Sequence, residues 1–411
     1  GSLIINYVGH GGVDKLSNAN ILTYSDIRGL KNIDRLPLFV SSTCEFTRYD
    51  NPASISAGEW MALNPNGGAI ALLTTTRTVT YSLNSIVVRN LFKHIVSRNG
   101  NSKPLTFGEI VLRTKQSMGA SGSTEKSAFI LIGDPGLRLA LPEYKIVIDS
   151  INGRSVATYT DTLTALSKVR VSAHIADFNG NPLPNFSGVA TTSLYDKKKD
   201  VQTLGQKPGL GTIRVANVLP YEEQKNVVYR GQSTVTNGTF KFEFIVPKDI
   251  DYTYDYGKFS LYANSNATDA IGEEQRVYIG GINPNGLNDQ IGPLINLYLN
   301  SENFVNGGLT NETPFLIAKL NDESGINTVG NGIGHDITLV LDGAVDKPIV
   351  LNDYYKNNID SYKSGELRFQ IPNLTEGKHT LTLKVWDVNN NSSEETIEFV
   401  VQEQQNLALK H

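Results

Sequence analysis

The sequence predicts an α/β domain with a parallel sheet, followed by two all-β sandwich modules. Three observations carry this reading. Over residues 1–141 short apolar runs alternate with helix-spaced segments. From residue 145 onward the pattern is two-residue alternation bounded by Gly, Asn, Asp and Pro. A run of turn formers at 283–289, Asn283-Pro284-Asn285-Gly286-Leu287-Asn288-Asp289, then divides that second pattern. The boundaries expected are therefore 1–141, 142–282 and 290–404. A chain of 411 residues accommodates three such parts at roughly 150 residues per domain.

In the first part, residues 3–8, 38–42 and 69–75 are β-rich runs without polar alternation, as expected of strands buried on both faces of a parallel sheet. Residues 82–96 place Leu83, Ile86, Val87, Leu91 and Ile95 at helical spacing behind Ser82, and 107–118 reads as a second helix with Thr106 as N-cap. In the second part, 145–148, 169–175, 240–246 and 259–263 alternate, with Asn152-Gly153 and Asn237-Gly238 as hairpin turns. In the third, strands are expected at 294–299, 315–320, 336–341, 367–371, 380–388 and 396–401, the last two joined through Asn389 to Asn391.

Composition narrows the function classes. Thirty-seven Lys and Arg against 41 Asp and Glu give a net charge of −4, so no broad cationic surface exists for a nucleic-acid backbone. No apolar run approaches the roughly 20 residues that cross a bilayer as a helix. The single cysteine, Cys44, excludes intrachain disulfides and multi-cysteine metal sites. The chain opens on Gly1-Ser2 without a signal-peptide pattern and is read as part of a longer polypeptide.

The chemistry points to two strand ends. His10 follows the first run in Asn6-Tyr7-Val8-Gly9-His10-Gly11-Gly12, and Cys44 follows the second in Ser41-Ser42-Thr43-Cys44-Glu45. If those strands are neighbours, an imidazole and a thiol share one sheet edge, and the imidazole can take the thiol proton to make a nucleophilic thiolate. The amides of Gly11, Gly12 and Cys44 are candidate oxyanion donors. The competing reading is a buried structural cysteine and a solvent-exposed turn histidine. His94, His174, His335, His379 and His411 are assigned no role. His335-Asp336 with Asp322-Glu323 reads as acidic loop residues rather than a metal site, and no metal ligands are assigned.

These motifs, with Ile132-Gly133-Asp134-Pro135-Gly136-Leu137 downstream, resemble the gingipain-like C25 cysteine peptidases. Asp322-Glu323-Ser324-Gly325-Ile326-Asn327, Leu351-Asn352-Asp353-Tyr354-Tyr355 and Lys384-Val385-Trp386-Asp387-Val388-Asn389-Asn390 resemble the C-terminal region of the peptidase-sortases of the Bacteroidetes type IX secretion system. The resemblance implies a partial caspase-like (gingipain-like) domain with His10 as base and Cys44 as nucleophile, and immunoglobulin-like character for the two β modules. It implies cleavage of C-terminal sorting domains from cargo and transfer of the new C-terminus to an amine of anionic lipopolysaccharide, at the outer-membrane surface. Implied partners are the upstream half of the catalytic domain, which would hold the acidic residue orienting the histidine, other secretion components, the cargo and the lipopolysaccharide amine. No cofactor is required, although calcium occurs in gingipains. Glu45, Arg48, Asp50 and Trp60 are expected to line the substrate subsite. An ordinary secreted C25 endopeptidase and a non-enzymatic surface scaffold or adhesin are the alternatives.

Overall fold

The structure, a computed structural model, describes residues 2–119, 125–204, 218–329 and 334–402. The chain divides into two compact units, Gly1–Leu141 and Pro142–His411.

The first unit is α/β. Its four-stranded sheet runs in the order β1 (Ile4–Val8), β2 (Leu38–Ser42), β3 (Ala71–Thr75), β4 (Phe129–Ile132). The β1–β2 and β2–β3 pairs are parallel, and β4 closes the sheet antiparallel to β3. Because successive side chains of a strand point to opposite faces, Leu38, Val40, Ala71 and Leu73 join one apolar layer while Phe39 and Leu72 join the other. Helices α3 (Tyr81–Ile95) and α4 (Phe107–Ser117) supply the first layer through Leu91, Ile95, Phe107 and Ile110. Helices α1 (Tyr24–Arg28) and α2 (Ala57–Leu63) supply the second through Ile27, Ala57 and Met61. Every residue of β2 and β3 is buried, whereas Leu3, Ile5 and Val8, at and beside β1, are exposed.

Helix α3 starts one residue earlier than its periodicity suggests, with Thr80 rather than Ser82 at the N-cap position. Helix α4 begins behind Thr106 as expected; Thr106 Oγ1 accepts from Glu109 N (3.1 Å) and Glu109 Oε2 from Thr106 N (2.7 Å). Helices α1 and α2 are absent from the sequence reading because at five and seven residues they complete too few turns to show a period. Their capping boxes were legible all the same: Thr23 with Asp26, and Ser56 with Glu59.

The second unit is all-β apart from single 3₁₀ turns among the described residues. Among the described residues of 144–282, nine strands join one sheet around a core that includes Ile148, Val171, Phe242, Phe244, Phe259 and Val277, and Lys199–Gln202 pairs separately with Pro220–Glu223. The Asn152-Gly153 and Asn237-Gly238 turns carry positive φ at both residues, 51° and 79° in one and 52° and 72° in the other. Residues 294–401 form two sheets that share a second core. In it Leu297, Leu316 and Leu367 from the four-stranded sheet meet Leu339, Leu383 and Phe399 from the five-stranded one. The final hairpin pairs Gly377–Trp386 with Ser392–Val401 and turns through Asn390 at φ 72°.

Candidate active site

The register of β1 on β2 builds the site. Val8 pairs with Ser42 in the parallel ladder, so His10 and Cys44 each stand two residues past the carboxyl end of their strand. The loop after β1 then lies on the loop after β2. Gly9 N donates to Ser42 O (3.3 Å), and a Cβ on Gly11 would meet Thr43 Oγ1 at 2.4 Å, so only glycine allows this approach. The His10 carbonyl is tied down twice, accepting from Tyr7 Oη (2.7 Å) and Ser17 N (2.8 Å), while its side chain is exposed. The backbone is fixed and the imidazole left open.

Cys44 is half-buried. Its Sγ lies 3.7 Å from Val79 O and packs against the cluster of Val79, Leu83, Val87, Met118, Ala128 and Phe129. Among the described residues no hydrogen bond joins Cys44 to His10. The turn at the cysteine is tight: Glu45 takes φ 53°, a left-handed conformation that costs a non-glycine residue roughly 1–3 kcal/mol. Ser41, Ser42 and Thr43, which lead into it, are fully buried, and their hydroxyls lack partners among the described residues. Polar, strained backbone thus concentrates at one strand end.

Of the expected oxyanion donors, Gly12 is removed, because its N–H donates to Lys15 O (3.0 Å) and closes the loop. The amides of Gly11 and Cys44 have no such bond among the described residues. Of the expected subsite residues, Glu45 and Arg48 form an ion pair at 3.2 Å. Asp50 is held by the fork of Arg77, with Arg77 Nη1 at 3.1 Å from Asp50 Oδ1 and a second contact through Nη2. The Arg77 guanidinium keeps the Asp50 carboxyl below the ordinary carboxylate range.

Trp60 is placed elsewhere. Its ring meets Tyr24 edge-on at 5.8 Å and carries the Arg28 guanidinium at 4.9 Å, so it packs α2 on α1, whereas the Cys44 sulfur turns toward α3. Helical phase decides this: Trp60 occupies the face of α2 that meets α1. Arg77 and Val79, which the sequence reading passed over, border the cysteine through Glu45 N to Arg77 O (3.4 Å) and Val79 O to Sγ.

The remaining described histidines each have a side-chain partner other than Cys44. His94 Nε2 lies 2.9 Å from Ser117 Oγ, His174 Nδ1 2.7 Å from Asp149, His379 Nδ1 2.8 Å from Asp342, and His335 Nδ1 2.8 Å from Asp249. His411 lies outside the described residues. Asp322 does not meet His335 as a ligand pair. Instead Asp289, Asp322 and Asp387 bring carboxylate oxygens within 4.8 Å of one another. All-oxygen donors of this kind suit calcium or magnesium better than zinc. Burial pushes Asp387 up to about 6 and raises Asp322 as well. Among the described residues no helix is long and apolar enough to cross a membrane.

The chain is similar to several known proteins. Among solved structures the chain is similar to dimeric latent PorU from Porphyromonas gingivalis, at 28% identity over 83% of this chain and 32% of that one, with a TM-score of 0.43. It is similar to the Arg-specific cysteine proteinase gingipain R at 13% identity over 67% of this chain and 52% of that one, TM-score 0.31. For the complex of the pro- and mature domains of RgpB from Porphyromonas gingivalis the figures are 12%, 66% and 54%, TM-score 0.32. The chain thus spans about a third of the length of PorU and about half of each gingipain chain. No curated protein sequence matches it. Residues 1–140 match the family model for peptidase family C25.

Proposed function

We propose that the protein is a C25 cysteine peptidase in which Cys44 is the nucleophile and His10 the base, working as a sortase. The observation that carries the reading is the β1–β2 register, which sets His10 and Cys44 at equivalent points past two adjacent parallel strands inside the family match. His10 takes the Cys44 proton as the sulfur attacks a peptide carbonyl, and the Gly11 and Cys44 amides face the resulting oxyanion. The C–N bond then breaks and His10 returns the proton to the leaving amine, leaving a thioester. An incoming amine attacks that thioester, its proton passes to His10, and the C–S bond breaks. In this resting geometry the thiol is parked on Val79 O; a change of χ1 well frees it, consistent with catalytic hydrogen bonds that tighten only with substrate bound.

On this reading the substrates are the C-terminal sorting domains of type IX secretion cargo, the acceptor is an amine of anionic lipopolysaccharide, and the place is the outer-membrane surface. The motifs resembling the type IX peptidase-sortases support this assignment. The unit is a partial caspase-like domain, and the exposed apolar edge of β1 is the surface on which the rest of that domain would pair. The β modules of the second unit are immunoglobulin-like sandwiches that dock partner components. In cells carrying Cys44→Ala, cargo is expected to keep its sorting domain, and normal processing in that variant excludes the thiol mechanism. Mass spectrometry of wild-type product is expected to show a glycolipid conjugate at the new carboxyl end. A free carboxyl end alone reduces the enzyme to an ordinary endopeptidase.

A further inference from the structure

The peptide group that leads into Cys44 is held by the neighbouring strand. Thr75, the last residue of β3, is fully buried, and its Oγ1 donates to Thr43 O at 2.5 Å. Its own carbonyl accepts from Thr47 N at 3.0 Å. One residue therefore grips the chain just before Cys44 and again at Thr47, bracketing the left-handed turn at Glu45. A further tie, between Thr47 Oγ1 and Thr74 Oγ1 at 3.0 Å, fixes the far side of the turn. Thr43 O and the Cys44 N–H belong to one planar trans peptide, in which the two groups point in opposite directions. With the carbonyl drawn to Thr75, the N–H is turned away from that hydroxyl, and it has no acceptor among the described residues. The place of a Gly11 Cβ lies against the Thr43 side chain, so the amides of Gly11 and Cys44 stand on adjoining loops.

We infer that Thr75 is a positioning residue: by holding the Thr43 carbonyl inside the domain, it aims the Cys44 N–H at the oxyanion that forms when the sulfur attacks a carbonyl. This rests on Cys44 being the nucleophile, as proposed above. Rotation of the thiol about χ1 leaves the main chain where it is, so the donor is in place whether the sulfur rests on Val79 O or turns to a substrate. Such a donor assists only if it is already aimed when charge develops on the carbonyl oxygen. Thr75 supplies the aim because its β-branched side chain has few χ1 wells and its hydroxyl is committed to Thr43 O. Without that hydroxyl the carbonyl of the fully buried Thr43 loses its partner, and the peptide plane rotates toward another donor.

The test applies two small reagents to the full-length protein, neither of which needs a substrate subsite. Para-nitrophenyl acetate acylates the thiol through a tetrahedral oxyanion: the S–C bond forms, the thiol proton passes to a base and p-nitrophenolate departs. Iodoacetamide alkylates it without an oxyanion: the S–C bond forms as iodide leaves, and the thiol proton again passes to a base. Single-turnover release of p-nitrophenolate, corrected with Cys44→Ala, and mass-spectrometric labelling of Cys44 by iodoacetamide give two rates whose ratio reports the donor. Thr75→Val keeps the shape and removes the hydroxyl, and is expected to lower the acylation-to-alkylation ratio by at least about tenfold. Thr75→Ser restores the hydroxyl and is expected to keep the ratio within about threefold of wild type. An unchanged ratio in Thr75→Val, including equal slowing of both reactions, overturns the inference and leaves the peptidase reading standing. Should Thr75→Val fail to fold, Thr75→Ser decides: a retained ratio supports the inference and a larger fall overturns it. A wild-type Cys44 that reacts with neither reagent overturns the peptidase reading itself, and the inference falls with it.

Discussion

His10 in the first unit and His335 in the second are a study in contrast. His335 has the hydrogen bond usually associated with catalysis, Nδ1 2.8 Å from a buried aspartate, and its ring lies 4.3 Å from that of Trp386. Asp249, however, also accepts from Asn327 Nδ2 (2.8 Å) and Asn390 Nδ2 (2.7 Å), so the cluster ties the loops of two β modules together. The sole cysteine belongs to the first unit. His10 has no side-chain partner among the described residues; its support is entirely backbone. A satisfied, half-buried histidine fastens a fold, whereas an open imidazole on a fixed loop beside a strained cysteine turn is available for proton transfer.

Substitution should separate the two kinds of site, and the largest effect is expected at the first. Cys44→Ala or His10→Ala should lower peptidase turnover by at least ~10³-fold, and His10→Ala should leave stability within about 0.5 kcal/mol because the side chain is exposed. Turnover assays paired with urea unfolding check both halves. Asp249→Ala should invert that result: the donors of Asn327, Asn390 and His335 lose a shared acceptor, at about 2–4 kcal/mol, while the rate at which Cys44 is labelled stays unchanged. A loss of labelling without a loss of stability would break the contrast.

The second unit should also respond to pH. Burial raises Asp387 from 3.8 to about 6, with nearby Asp322 contributing, so the folded state holds a proton that the unfolded chain releases. The stability this provides is complete below about pH 4 and is lost as pH rises through about 6, a change of about 1–3 kcal/mol. Asp387→Asn should flatten that slope in thermal melts taken between those limits, and an unchanged slope would assign it to another group. The smallest effect is expected at the cysteine turn. Glu45→Val, with a β-branched side chain at φ 53°, should destabilise the first unit by about 1–2 kcal/mol, and Glu45→Gly should be nearly neutral. Equal stability of the two variants in chemical denaturation would show that the turn relaxes.

The sequence by itself determined the strands at β2 and β3, the helix behind Thr106, the hairpin turns at Asn152-Gly153 and Asn237-Gly238, and the places of His10 and Cys44 just past two strand ends. All of these are written in local pattern: unbroken apolar runs, a capping box, dipeptides that accept positive φ, and motifs anchored to a strand terminus. Tertiary structure alone decided that Gly12 closes its loop on Lys15, that Trp60 faces α1, that Arg77 holds Asp50, and that Asp289, Asp322 and Asp387 converge. Each of these depends on which face an element presents and which distant segment meets it. A one-residue change of phase or register alters that outcome without altering the local pattern from which it would have been read.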